Sequence, residues 1–507
     1  MPKKLLLLLI GAIIFRVVAL RYLPTLFFFD QARDLILVNE IVKDGNLKLL
    51  GPSASGTQDA VYHGVLYYYV LAPLQLLARG DPRIVQLLLG IINSLGIVPV
   101  TILAAKMTKS KSAGFITGLL YIFSMDAVIH NTWLSNPSIA TLSVPLYLLG
   151  LWLVFIEKKT SYLWLVGLSL AASIQSAIFL GYLVIPFVVL VLLTWCKSRS
   201  LSGLNVKAIA FFFGVLAIGL SSMFLAQYKL YRVGIFSPET LRFASSSNKP
   251  LISRLDNIGS IYTQKVSLNY LNTDPVVSSL VFILVATIFL MVSSSSTVIF
   301  YLIIFASPVA FLTYLPKEEI HSIIGLEVML LMPFGLLINR MLVQKKQLIK
   351  MLGVFVIALY ICTQLFSLHR FHKTRSYPPA VQPGMYLDDQ MALLDSIYKQ
   401  TAGDSFSIST FSNPYQYATV WIYLFDWYGL GKYGYKPVIA HQDQTGMFGE
   451  NILEQSIKQE NKHFAIIEPN LNTPDYFHHL FLGQQIQDNR QLDSTLYFDK
   501  LQLNIYK

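Results

Sequence analysis

The chain has 507 residues, of which 54% are hydrophobic and only 13% charged, about half the charged share of an ordinary soluble domain. With apolar runs recurring from residue 5 to residue 368, that deficit excludes a soluble globular protein and predicts a polytopic α-helical membrane protein. The formal charge of +11 does not point to nucleic acid, because Lys and Arg fall in short clusters between apolar runs, as in cytoplasmic loops.

The first run, MPKKLLLLLIGAIIF, imitates a secretory signal. No small-residue cleavage site precedes Arg21 and further runs follow, so it reads as an uncleaved first helix with a cytoplasmic N-terminus. A crossing takes about 20 apolar residues. Candidate spans are 5–22, 84–105, 112–130, 138–156, 161–177, 179–195, 208–228, 276–293, 297–315, 323–343 and 351–368. The pair over 161–195 leaves little room for a turn. One more apolar stretch, HGVLYYYVLAPLQLLAR (63–79), decides the topology. If it crossed, the basic clusters at 106–111, 158–159, 197–207 and 345–350 would fall outside. If it lies on the surface, every cluster falls inside. It is therefore read as an interfacial helix. Loops 23–83, 131–137, 229–275, 316–322 and everything after 369 then share the extracytoplasmic face.

Asp30, Arg33 and Asp34 follow the first span in LFFFDQARDLI. Asp30 abuts Phe27–Phe29 at headgroup depth, where partial desolvation makes a carboxylate a better base for an acceptor hydroxyl. Asp34 is one turn on and either orients substrate or pairs with Arg33. Solubilising surface acids are the plainer alternative. His63 opens the interfacial helix, where an imidazolium beside a helix N-terminus would favour an anion. Asn136 lies in the outer NTWLSNP turn, and His321 and Lys317 lie in LPKEEIH before another span. Lys229, Arg232, Arg242, Lys249 and Arg254 sit in the long outer loop 229–275, against the inside bias, and of these Arg242 is selected for an anionic ligand. Ionisable residues within spans reduce to Arg16, Asp126 and Glu327, with Arg16 expected to snorkel or to pair with Asp126. The two cysteines, Cys196 and Cys362, carry no disulfide or metal pattern.

After YPPAVQPG (377–384) the composition turns polar. DDQMALLDSIYKQ predicts an amphipathic helix, SFSISTF a strand, YQYATVWIYLFDWYG an aromatic-faced helix, HFAIIEP a buried strand and TLYFDKLQLNIYK a hairpin. Residues 1–375 thus form a membrane domain and 376–507 a small extracytoplasmic α/β domain.

DQARD after the first span, then YHGVLYYY, then an outer WLSNP loop, resemble the C-class (GT-C) polyprenyl-phosphate-dependent glycosyltransferases, in particular the protein O-mannosyltransferase and aminoarabinose transferase group. The resemblance covers residues 1 to about 375 in layout. It implies that Asp30 is the catalytic base and that a lipid-linked sugar passes to a hydroxyl acceptor (protein, lipid or polysaccharide) by inverting displacement. It further implies that Arg33, His63, Arg242 and His321 serve the lipid phosphate. The family's Asp-Glu pair is Asp30-Gln31 here, and its Asp-Pro is Asn136-Pro137. No metal is demanded by this chemistry, although a divalent ion stays open. The competing classes are a transporter or lipid flippase, a noncatalytic cell-surface assembly protein, and, among enzymes, an O-antigen ligase or oligosaccharide transferase.

Overall fold

The computed structural model describes residues 2–54, 61–198, 206–229, 250–270, 274–313, 320–378, 381–456, 460, 462–471, 473–487 and 491–506. It divides into two compact units, one of residues 1–19, 48–67 and 86–370, the other of residues 20–47, 68–85 and 371–507. The sequence boundary at 375–376 lies close to the last of these joints. Residues 20–47 and 68–85, however, go with the C-terminal part of the chain.

In the first unit all eleven predicted runs are helical. Among the described residues six helices are long and apolar enough to cross a membrane unaided, and two bent pairs bring the number to as many as eight. The remaining three, Pro2–Ala19, Leu163–Ser176 and Glu327–Leu342, are short or carry charge. Spans such as Gln347–Thr374 turn Val354 and Phe355 outward, about 60% exposed, as a lipid-facing surface requires.

The run 112–130 is broken by 61° between Lys111–Phe123 and Met125–Thr132. A break frees carbonyls at the end of the first helix, and in an apolar surrounding these need donors. Arg16 supplies them, donating to the carbonyls of Ile122 and Tyr121. The Arg16–Asp126 pairing expected from sequence does not form, because the guanidinium is consumed at the break. Ser124 Oγ caps the second helix by accepting from Ala127 N, and Gln364 Oε1 accepts from Met125 N at 2.9 Å.

The loop ends predicted to share a side do meet. Lys106 Nζ pairs with Glu157 at 2.6 Å, Asn339 Nδ2 donates to Ser110 Oγ, and Thr297 Oγ1 donates to the Met107 carbonyl. Loop 229–275 departs from expectation, since residues Leu251–Asn269 form a 19-residue helix. The apolar stretch at 63–79 is helical only over Leu66–Ala78, 13 residues. At 1.5 Å per residue that is about 20 Å, short of the roughly 30 Å hydrocarbon core, as an interfacial helix would be.

The second unit contains a six-stranded sheet in the order β3-β2-β1-β4-β6-β5: β1 Ser407–Phe411, β2 Val438–Ala440, β3 Glu454–Ser456, β4 His463–Ile467, β5 Leu492–Phe498 and β6 Leu501–Tyr506. The first four are parallel, and β6 and β5 close the edge as the predicted hairpin. β1 and β4 are buried at every position, and the hydroxyls of Ser407 and Ser409 on β1 are hydrogen-bonded to the His463 ring on β4. The predicted helices appear as Leu387–Thr401 and Thr419–Leu424, the latter continued to Tyr433. The short strands β2 and β3 and the helix Asp475–Gln487 were not expected. Glu468, just after β4, is buried but accepts from Asn413 N, Gln382 Nε2 and Trp421 Nε1, and its burial pushes the carboxyl up to about 7.

Candidate active site

The acidic motif opens the helix Phe29–Asp44 in the second unit. Its start is fixed by Gln31, whose Oε1 turns back to accept from Phe28 N at 3.2 Å. Glu and Gln serve equally at this reciprocal-cap position. The Gln31 that departs from the family's acidic pair therefore has a structural task here. A left-handed Gly45 terminates the helix, with its N–H returning to the Glu40 carbonyl.

The entering strand is held by the C-terminal part of the chain. Phe27 N donates to the Met385 carbonyl at 3.0 Å, Leu387 N donates to the Thr25 carbonyl at 3.0 Å, and Gln390 Nε2 donates to the Phe27 carbonyl at 2.7 Å. Phe27 packs on Tyr423, and Phe29 packs on Tyr417 and Phe448. Further along, Gln75 Nε2 donates to Asn39 Oδ1 and to Tyr423 Oη.

This support presents one open carboxylate over a buried pair. Arg33, 8% exposed, reaches Asp34 Oδ1 through Nη2 at 2.8 Å and Nε at 2.9 Å, and reaches Asp30 Oδ1 through Nη1 at 2.9 Å. Tyr68 Oη also donates to Asp34, at 3.2 Å. Asp34 is only 3% exposed, whereas the Asp30 side chain is 46% exposed. Burial raises the Asp34 carboxyl to about 6, against the pull of Arg33. At Arg33 the balance reverses: burial works to lower its pKa, but Asp34, Asp30 and Tyr68 outweigh it, so the guanidinium stays charged. Burial likewise holds the Tyr68 phenol well above its usual value. Asp30 sits in the first turn, where the helix dipole favours an anion.

The first unit gathers the other candidates around Phe179. His63 lies edge-on to Phe179 at 6.0 Å, and His321 packs on Phe179 at 5.2 Å and on Trp133 at 5.5 Å. Asn136 Nδ2 donates to the Ser176 carbonyl at 2.5 Å, tying the WLSNP turn to the end of the neighbouring helix. The Trp133 indole N–H is buried and meets no acceptor among the described residues.

Two expectations about His63 need correction. Its Nδ1 accepts the Ile178 N–H at 3.0 Å, which an imidazolium with hydrogen on both nitrogens cannot do. The ring is therefore neutral with its hydrogen on Nε2, a donor without a charge. Nor is the helix N-terminus beside it open to an anion. Gln175 lies across it, with Oε1 accepting from Leu66 N at 3.4 Å and Nε2 donating to the Gly219 carbonyl and Ser222 Oγ. The packing is so close that a Cβ on Gly64 would fall 1.7 Å from Gln175 Oε1.

Asp30, Arg33 and Asp34 thus stand together, as do His63, Asn136 and His321. Arg242, Arg232, Lys249 and Lys317 lie outside the described residues, and Arg254 donates to the Thr313 carbonyl. Sequence reasoning missed Tyr68, Trp133, Phe179 and Lys265. The first two stood inside quoted motifs without being singled out, while Phe179 and Lys265 carried no local signal.

No family model matches the chain, and no curated protein matches it. Among solved structures it is similar to ArnT from Cupriavidus metallidurans bound to undecaprenyl phosphate, with a TM-score of 0.63 and 11% identity over 99% of this chain and 97% of that chain. The same protein in the apo state gives a TM-score of 0.59 at 11% identity over the same shares. The chain has the fold of ArnT, the GT-C fold that its sequence resemblance implied.

Proposed function

We propose that the chain is an integral membrane glycosyltransferase that moves a sugar from a polyprenyl-phosphate donor to a hydroxyl acceptor at the extracytoplasmic face. The observation that carries this reading is the pairing of one half-exposed carboxylate, Asp30, with a buried Arg33–Asp34–Tyr68 group that fixes the guanidinium beneath it. The fold shared with a protein solved with undecaprenyl phosphate supports a lipid phosphate as the leaving group.

In the proposed step the acceptor oxygen attacks the anomeric carbon, Asp30 takes the hydroxyl proton, and the bonding pair of the departing C–O bond leaves on the lipid phosphate. An alcohol is far less acidic than any carboxylic acid, so proton transfer accompanies attack. The displacement inverts the anomeric centre and needs no second nucleophile. Negative charge grows on the phosphate as the bond breaks, and buried donors aimed at such a group are worth most in a water-poor site. The buried Arg33 guanidinium, which stays charged beside Asp30, is the donor assigned to it.

A photoactivatable undecaprenyl phosphate tests the lipid assignment. Crosslinks are expected on the peptide bearing Asp30 and Arg33, and to be competed away by unlabelled undecaprenyl phosphate. Labelling spread over the outward faces of the spans, without competition, would overturn it. Orientation is tested separately with a membrane-impermeant maleimide on intact cells. A cysteine replacing the exposed Lys399 is expected to react directly, and native Cys196, also exposed, only after permeabilisation. The reverse pattern would place the C-terminal domain on the wrong side.

A further inference from the structure

Within the first unit lies a group of charged residues that the transfer chemistry does not use. Asp126 on Met125–Thr132, Lys265 on Leu251–Asn269 and Glu327 on Glu327–Leu342 are all 1% exposed or less, and His130 is fully buried beside them. Ionisable side chains at membrane depth are costly and are kept for a reason.

Asp126 is saturated. Its Oδ1 takes His130 Nδ1 at 2.8 Å and Lys265 Nζ at 2.7 Å, and its Oδ2 accepts from Asn269 Nδ2 at 2.8 Å. Ser124 Oγ donates to Asn269 Oδ1, which fixes the direction of that amide. Lys265 stands 3.6 Å from Glu327 Oε1, which also accepts the Gly325 N–H. Two atoms are left over. His130 Nε2 and Glu327 Oε2 are buried and have no hydrogen-bond partner among the described residues. One ligand atom from each of Asp126, His130 and Glu327 lies within 4.8 Å of the others.

Two carboxylates against one ammonium leave a negative charge over, and an unbalanced buried charge is expensive. A proton on Glu327 or on His130, or a bound cation, restores the balance. The histidine decides between them. With Nδ1–H directed at a carboxylate, its Nε2 lone pair points away as it does in metal-ligating histidines, whose other ring nitrogen is oriented by such a partner. We propose that His130 Nε2 and Glu327 Oε2, backed by Asp126, bind a divalent metal ion, with the Lys265 ammonium as a built-in competitor for the same carboxylates. The ion would tie the helix that leads into Trp133 to the helix that follows His321. This role is independent of the glycosyltransferase reading.

The test is metal content after chelator stripping and equilibrium dialysis of the purified full-length chain against Zn²⁺ and, separately, Mn²⁺. One ion per chain is expected for the unmodified protein, with Glu327→Gln and His130→Ala weakening binding by about tenfold or more. Lys265→Met removes the competitor and is expected to tighten binding by about tenfold, a gain that misfolding cannot imitate. Should neither the unmodified chain nor Lys265→Met retain either ion, or should Glu327→Gln bind as well as the parent, the proposal is wrong and a proton fills the place.

Discussion

Replacing Asp30 by Asn is expected to lower sugar transfer by about 10²–10⁴-fold, the usual range for a lost general base, while leaving the protein folded. Folding should survive because the Asp30 side chain is half-exposed and Arg33 keeps its buried partner Asp34. The neighbouring carboxylate should behave differently. Asp34 is ionised only above about pH 6, where it holds Arg33 by two contacts. As pH falls through that value Asp34 takes up a proton, its hold on the guanidinium weakens, and the Arg33 that sits against Asp30 loses its fixed position beneath the base. Transfer is therefore expected to decline on the acid side with a midpoint near 6. Asp34→Asn should show the slow rate already at pH 7.5, about tenfold below the parent, and should lose the midpoint near 6. A pH–rate profile of the three proteins checks this. An Asp34→Asn enzyme with the parent's rate and profile would separate Asp34 from the site.

Ending the chain at residue 375 is expected to abolish transfer as completely as the loss of Asp30, through the support of the acidic helix. Phe27, Phe28 and Phe29 lead into it, and Phe27 and Phe28 are at most 5% exposed. Their partners include Tyr417, Tyr423 and Phe448, and the strand before them bonds to Met385, Leu387 and Gln390. Re-exposing two phenylalanines costs roughly 2–3 kcal/mol each, and the lost main-chain bonds add to it. A 16-residue amphipathic helix does not hold its shape alone in water against that deficit. Limited trypsin digestion gives the readout: the shortened chain should be cut rapidly at Arg33, which the intact protein keeps buried. Equal resistance in both would mean that the helix is held by other contacts.

The helices and the main strands were legible because their signals are periodic or long: eleven apolar runs, an amphipathic DDQMALLDSIYKQ, an alternating hairpin. The short β2 and β3 were not, since three-residue strands carry no period of their own. The side of the broken span that Arg16 serves was also hidden, because only the 61° bend creates the carbonyls it binds. At the site, Asp30, Arg33 and Asp34 were visible as charges crowded against an apolar end. Their division of labour was not, since it comes from Tyr68 and the packing that buries one carboxylate and leaves the other open. The charge of His63 was misread for a related reason, as the Ile178 N–H that keeps it neutral is remote in sequence. Lys265 was missed because a lone lysine in a long polar-looking loop resembles any solvated one until a helix carries it inward.

The central claim, that Asp30 drives transfer from a lipid-linked sugar, is most directly met by untargeted mass spectrometry of the polyprenyl-phosphate lipids in cells making either the unmodified chain or Asp30→Asn. A sugar-bearing polyprenyl phosphate should accumulate with Asp30→Asn and be drawn down, with release of free polyprenyl phosphate, by the unmodified chain. Identical lipid profiles in the two, with both proteins present at equal levels in the membrane, would contradict the account.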